Sequence, residues 1–382
     1  MAPKIFLTGA TGYIGGSVFH ALYTHHPEYD YTLLLRSEPS PSLRQAYPGA
    51  HILRGDYDSL DVLTAAAAAA DIVIHNGNSD HAPSLRALLA GLKTPPPQHD
   101  GAERKKRKAK HLIHLSGTGL MSDFRRGPCG SANPRVYSDE WADTLAVLEA
   151  GDEPLHGETE RIIRETWEEE ERRRGREAGA DGEGDVAAVE VQTAVVRPSD
   201  IYGRGIGVGR KSSFWVPWYV REVLGTGEEE GVGAAFFVGQ GGNRRGWVHL
   251  EDVVDAYLRL VERAAEGCEE GWGKEGYYHI TSQEYSQFEV AEAVGRILHK
   301  KGLIKEKNPK QVPLEQVDKM LAPLGFPLIA RYLFASNART VAKRTRALLG
   351  WEPKAPSLWE ALEQDIDDAI NAMGDRAYFR LR

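Results

Sequence analysis

The sequence predicts an α/β protein built on a doubly wound parallel sheet, with a smaller, mixed lobe towards its C-terminus. Three observations carry this. Short apolar runs alternate with helical stretches at β-α-β spacing from Lys4 to Ser116. A glycine-spaced turn follows the first run and opens the first helix. Beyond Gly203 the rhythm stops, in a segment rich in glycine and aromatic residues that runs to Asn243.

Taken in order, Lys4–Thr8 reads as a strand and Tyr13–Tyr23 as a helix. Tyr31–Leu35 is a second strand, and Ile52–Leu53, leading into Gly55-Asp56, a third. Leu60–Ala70 is alanine-rich and therefore strongly helix-forming. Asp71–His75 is a fourth strand, Leu85–Leu92 a helix and His111–Ser116 a fifth strand. Consecutive parallel strands joined through helices imply right-handed crossovers. Val191–Val196 is a further β-rich run, and Ser212–Leu224, Val253–Ala265 and Phe288–Leu298 read as helices. The domain division expected is residues 1–203, rejoined by 247–282, for the sheet, with 204–246 and 283–382 forming the smaller lobe. The aromatics Phe214, Trp215, Trp218 and Tyr219 fit either an apolar pocket or a buried helix face.

Two segments break the pattern. Thr94–Lys110 holds Pro95-Pro96-Pro97 and the basic run Arg104-Lys105-Lys106-Arg107-Lys108, and reads as a solvated insertion rather than a nuclear-import signal. Trp167–Asp185 reads as the exposed end of a helix followed by a loose loop.

The 382 residues carry a formal net charge of −8, which argues against binding nucleic acid through its phosphates. The start lacks a basic, then apolar, leader, and no apolar run approaches the ~20 residues that span a bilayer. The two cysteines, Cys129 and Cys268, have no metal-ligand spacing. The expectation is a cytoplasmic protein with no metal, no membrane and no nucleic acid, acting on a small molecule, with a homodimer allowed.

The chemistry begins at Thr8-Gly9-Ala10-Thr11-Gly12-Tyr13-Ile14-Gly15. Gly9 permits the tight turn, Gly12 lets backbone approach a pyrophosphate, and Gly15 lets helix and strand pack closely. The helix start then offers free N–H groups and a positive dipole end. This is a dinucleotide-binding, Rossmann-type turn. A site for NAD places an acid about 20 residues on, against the ribose hydroxyls. Here the second strand ends in Arg36-Ser37, a cation and a hydroxyl suited to the 2′-phosphate of NADP, so NADP is the expected cofactor and NAD remains open.

The glycine pattern resembles the extended and atypical short-chain dehydrogenase/reductases of the NAD-dependent epimerase/dehydratase kind, and other segments agree along nearly the whole chain. Gly55-Asp56-Tyr57 is similar to the acidic turn that cradles adenine. Asn76-Gly77-Asn78 is similar to the end of the strand that passes the cofactor. His114-Leu115-Ser116-Gly117-Thr118 resembles the strand bearing the catalytic serine. Arg197-Pro198-Ser199-Asp200-Ile201 resembles the segment flanking the nicotinamide. Trp247–Val253, after Val238-Gly239-Gln240-Gly241, and Leu348–Pro353 resemble further hallmarks. The resemblance thus implies a cofactor site formed by Gly9, Thr11, Gly12, Tyr13, Ile14, Gly15, Arg36, Ser37, Asp56, Tyr57, Gly77, Asn78, Ser116, Pro198, Ser199 and Ile201.

Reductases of this family pair a tyrosine with a lysine four residues later, on one helix face. The phenol passes a proton to the carbonyl oxygen, the lysine lowers the phenol's pKa, and the serine steadies the developing charge. No tyrosine here has a lysine four residues on. The corresponding stretch reads Pro154-Leu155-His156-Gly157-Glu158-Thr159-Glu160-Arg161, with His156 for the tyrosine and Glu160 for the lysine. The catalytic set expected is Ser116 and His156 assisted by Glu160, with Tyr137 in the long segment after the serine as an alternative donor. Three functions follow: an NADP(H)-dependent oxidoreductase on a small carbonyl or alcohol, a non-redox epimerase-like enzyme, or a regulator that senses NADP(H). Fold alone does not choose among them.

Overall fold

A computed structural model describes residues 2–95, 108–149, 155–179, 189–225, 230–321 and 324–373. The basic run Arg104–Arg107 and the glycine-acid stretch after residue 179 lie outside the described residues. The strands are β1 (Lys4–Thr8), β2 (Asp30–Leu35), β3 (His51–Arg54), β4 (Ile72–His75), β5 (Lys110–Leu115), β6 (Tyr137–Ser138) and β7 (Val191–Pro198), then β8 (Asp200–Tyr202), β9 (Phe236–Val238), β10 (Arg244–His249), β11 (Tyr277–Ile280), β12 (Gln283–Ser286), β13 (Lys310–Val312) and β14 (Thr340–Val341). Seven of them form one sheet in the order β11-β7-β5-β4-β1-β2-β3, every pair parallel.

Alternation along the strands explains why helices cover both faces. Ile5 and Leu7 of β1 join one buried cluster, with α1 (Tyr13–His25) and the long helix Leu250–Glu266. Phe6 between them joins the other, with the helices Leu60–Ala69, Ala82–Lys93 and Gly157–Gly179. Side chains of a strand point alternately to opposite faces, so a strand apolar at every position demands a cover on each side. All eight residues of β7 are buried.

The second lobe has its own apolar cluster and a three-stranded mixed sheet, β12-β10-β8. Trp215, Trp218 and Tyr219 are all fully buried on the helix Trp215–Leu224, with Trp215 stacked on Tyr219 at 4.7 Å. The buried helix face is therefore the correct alternative for these aromatics. The helix Gly157–Gly179 has the exposed end that its sequence suggested, at Glu171, Arg172, Arg174 and Arg176, but its middle carries a buried face. Trp167 is buried and donates to the Tyr277 hydroxyl at 3.2 Å, while Glu170 is buried beside Arg173. Cys129 and Cys268 are unpaired. Among the described residues no helix is long and apolar enough to cross a membrane.

Candidate active site

The strand order reverses between β1 and β4, and at that point the C-terminal ends of parallel strands open a crevice. The register sets Thr8 beside His75, His75 beside His114, and Leu115 beside Val196. Gly9, Asn76-Gly77, Ser116 and Arg197-Pro198 therefore emerge along one edge.

At the phosphate end the backbone dictates the residues. Gly9 has φ +78°, and a Cβ there would sit 2.3 Å from the Asn76 carbonyl oxygen. A Cβ on Gly15 would sit 2.4 Å from the Gly9 carbonyl oxygen. α1 begins at Gly12 with no side-chain cap and no acid in its first turn, which leaves its N-terminal N–H groups suited to a phosphate. These features fit a dinucleotide. Thr11, Tyr13 and Ile14 belong to the same turn, and Tyr13 donates from its hydroxyl to the Gly203 carbonyl at 2.5 Å.

That bond belongs to a feature the sequence reading left without a role. The segment Gly203–Lys211 lies across the glycine turn. Arg210 N–H donates to Thr11 O at 3.1 Å, and Ile206 N–H to the Ser17 hydroxyl at 3.2 Å. The contact is so close that a Cβ on Gly209 would lie 2.1 Å from Thr11 O.

Arg36 and Ser37 are exposed just past β2. Glu38, the acid that follows, is engaged by Arg44 at 3.2 Å and Arg54 at 2.9 Å, so it does not neutralise Arg36. Asp56, past β3, accepts from the Ser59 hydroxyl at 2.8 Å and from Asp58 N–H at 3.1 Å, which holds its carboxyl below the usual range. Tyr57 reaches over Gly77: a Cβ on that glycine would collide with the phenol oxygen at 2.1 Å. Asn78 is exposed beside it. Pro198 closes β7, Ser199 donates to the Ile280 carbonyl at 3.2 Å, and Ile201 lies half-buried in β8.

At the other end of the crevice the side chains decide. The expected His156–Glu160 pair does not form. Glu160 is fully buried and ion-paired with the fully buried Arg197 of β7, whose Nε donates to it at 2.9 Å. The same carboxylate accepts the Ser116 hydroxyl at 2.5 Å. Burial opposes the charge of Arg197, but the Glu160 carboxylate overcomes it and holds the guanidinium above its ordinary pKa. The guanidinium also stands 4.6 Å over the Tyr277 ring. The physical reason for the correction is plain: a buried arginine takes the carboxylate, because leaving it unpaired in a dry site is far costlier than leaving a histidine without that partner.

His156 stands at the start of the helix that carries Glu160, with its side chain 15% exposed. Its Nε2 faces Gly117, where a Cβ would approach to 2.9 Å. Ser116 and His156 thus flank one short turn. Ser116, with its proton directed at Glu160, presents lone pairs rather than an O–H to that space. Thr118, buried two residues beyond, begins a 3₁₀ turn. Tyr137 is placed elsewhere. It sits in the short strand pair β6-β14, under the Arg135 guanidinium at 4.8 Å, lining a polar recess with Met121, Ser122, Asn133 and Arg339.

Sequence reasoning missed Arg197 as a site residue. Its signal was present: an arginine inside Val195-Val196-Arg197-Pro198, in an apolar strand, needs a buried carboxylate.

Residues 185–271 match the model of the NAD dependent epimerase/dehydratase family. The oxidase ucsJ of an Acremonium species is 29% identical over 98% of this chain and 99% of its own length. An uncharacterised Saccharomyces cerevisiae protein is 23% identical over 94% of this chain and 97% of its own. Among solved structures, dTDP-glucose 4,6-dehydratase of Bacillus anthracis in complex with NAD superposes with a TM-score of 0.58 at 15% identity, covering 99% of both chains. The yeast methylglyoxal/isovaleraldehyde reductase Gre2 with NADPH gives 0.56 at 14% identity, covering 98% of this chain and all of its own.

Proposed function

We propose that this chain, of the extended short-chain dehydrogenase/reductase type, is an NADP(H)-dependent oxidoreductase that interconverts a small carbonyl compound and its alcohol. The observation that carries the reading is His156. It stands at the helix start, in the stretch that resembles the one bearing the reductases' tyrosine, with Nε2 turned to the backbone beside Ser116.

A bound nicotinamide would supply or accept the hydride. The chain's own residues do the rest. The glycine turn and the N-terminus of α1 would hold the pyrophosphate, and Arg36 with Ser37 the 2′-phosphate. Ser116, with its own proton engaged by Glu160, lines the space beside the substrate oxygen with lone pairs and leaves that oxygen's single proton to His156. His156 exchanges the proton of the substrate oxygen through Nε2. Glu160, an anion already matched by Arg197, fixes Ser116 and the strand edge rather than the imidazole.

The test is oxidation of NADPH against a panel of small aldehydes and ketones, and reduction of NADP with the matching alcohols. His156→Ala should lower kcat by roughly 10²–10⁴-fold, the span of a lost general acid or base. If Tyr137→Phe abolishes turnover and His156→Ala leaves it intact, the proton carrier is the phenol. If no member of the panel turns over cofactor, the oxidoreductase reading gives way to a protein that binds NADP(H) as a signal.

A further inference from the structure

We infer that Asp80 is a positioning residue for His156, forming a carboxylate–imidazole dyad that fixes the ring with Nδ1 protonated and Nε2 facing the reacting atoms. The inference rests on the reading of His156 as proton carrier, and three observations made at different atoms support it.

The first is the contact itself. Asp80 lies in the loop after β4, and its Oδ1 stands 3.0 Å from His156 Nδ1. The same oxygen accepts the backbone N–H of His156 at 2.7 Å. The Ser79 hydroxyl is 3.2 Å from Nδ1, and the Ser79 carbonyl accepts the Thr159 hydroxyl at 2.8 Å. Loop and helix start are therefore clasped with the ring between them. The Ser79 hydroxyl can serve Nδ1 as donor or acceptor, but a carboxylate only accepts, so its approach favours the ring with Nδ1 protonated and leaves Nε2 as the working nitrogen.

The second is strain. His156 has φ +74°, a left-handed conformation that is unfavourable for a residue with a Cβ. Gly157 follows directly, so the chain has placed its side-chain-bearing residue in the position glycine would adopt freely. Strain of this kind persists where surrounding contacts fix it, and it clusters at working sites. The third is the space at Nε2. Gly117 offers no Cβ, and one there would press on Nε2 at 2.9 Å.

The charged and titratable groups around the ring are few. Asp80 faces it from the loop after β4. His114 of β5 is held neutral, its pKa pushed well down by burial and then by His75 and His156. Glu160, one turn along the same helix, is matched by Arg197 of β7. Asp80 is thus the one unmatched anion against the imidazole among the described residues. Burial raises its carboxyl, but hydrogen bonds and charge from His156 outweigh that and hold it below the usual range.

A tether for the helix start would need only the backbone contact, and this separates the two roles. Protein labelled with ¹⁵N in its histidine rings is titrated by NMR without added cofactor or substrate, with His156→Gln identifying the signal. The expected neutral form is protonated at Nδ1, a result read in the unmodified protein and needing no variant. Asp80→Asn keeps an oxygen for the backbone N–H but removes the charge, and should move the neutral ring towards its Nε2-protonated form. A neutral ring protonated at Nε2 in the parent, or an unchanged tautomer in a folded Asp80→Asn protein, overturns the dyad. Neither readout depends on turnover, so the dyad and the oxidoreductase reading fail separately.

Discussion

The two ends of the crevice are built on different principles. At the glycine turn, function is carried by backbone: a φ of +78° at Gly9 and a 2.4 Å approach at Gly15 leave one residue type able to do the work. At the helix start, function is carried by side chains that meet across the fold, where His156 turns to Asp80 from one loop and Glu160 to Arg197 from another strand. The first end is fixed by backbone geometry. The second rests on opposite charges buried together, Glu160 against Arg197. The difference teaches that the first end limits residue type position by position, whereas the second depends on charge balance between side chains that meet across the fold.

The sharpest way to break that balance is to remove one charge. Glu160→Ala would leave the Arg197 guanidinium buried without its carboxylate and the Ser116 hydroxyl without its acceptor. The expected loss is about 3–5 kcal/mol, the usual cost of breaking a buried pair from one side. Glu160→Lys should be no better, because it sets two cations in one dry pocket. Glu160→Leu combined with Arg197→Met should recover most of the loss. Urea midpoints of the four proteins measure this, and a Glu160→Lys protein as stable as the parent would show that the pair is not what holds this end.

This asymmetry also governs what was legible in the sequence. The central strands were readable because β1 and β4 are short apolar runs buried on both faces and punctuated by glycine or helix starts, as at Thr8-Gly9. The phosphate turn was readable because glycine spacing encodes backbone geometry directly. The position of His156 was readable by its place on the helix. Its partner was not: spacing of four put Glu160 on the same helical face, but Glu160 points to a strand distant in sequence, and Asp80 lies 76 residues before His156. Periodicity reports neighbours along an element, and says nothing of which strand edge an element will face. The exposed end of the helix from Gly157 was legible in its run of Glu and Arg, but the same run hides the buried Trp167 and Glu170.

A second, smaller effect concerns acid. His75 is buried at the strand edge between the two ends, with its hydroxyl partner Thr8 at 2.8 Å. Burial first, and then His81, lowers its pKa from 6.5 to about 4. His111, buried at the start of β5, is lowered to about 4 as well. A histidine held neutral in the fold takes up a proton on unfolding, so stability is full above pH ~6.5 and falls as pH drops towards 4. Each group contributes on the order of 3 kcal/mol across that window. The check is the urea midpoint at pH 7.5 and at pH 5. His114→Leu, which replaces another depressed imidazole of the same row, should show a shallower slope than the parent. An equal or steeper slope would place the acid sensitivity in the carboxylates instead.

The smallest effect sharpens the backbone end, since it asks the one side-chain question posed there. Arg36 leaves β2 where an acid would select NAD, and the neighbouring Glu38 is held by Arg44 and Arg54 rather than by Arg36. A 2′-phosphate meeting a guanidinium gains a charge-assisted contact of roughly 1.5–3 kcal/mol. That corresponds to about 10–150-fold tighter binding of NADPH than NADH, measured by titration of the two reduced cofactors. Arg36→Asp should invert the order, because the new carboxylate accepts from both ribose hydroxyls and repels the phosphate. The melting temperature should stay within the small range of surface substitutions, since Arg36 is exposed and pairs with no carboxylate among the described residues. Equal affinity for the two cofactors in the parent would remove Arg36 from the site. It would leave the glycine turn intact as a pyrophosphate cradle, indifferent to which nicotinamide dinucleotide it holds.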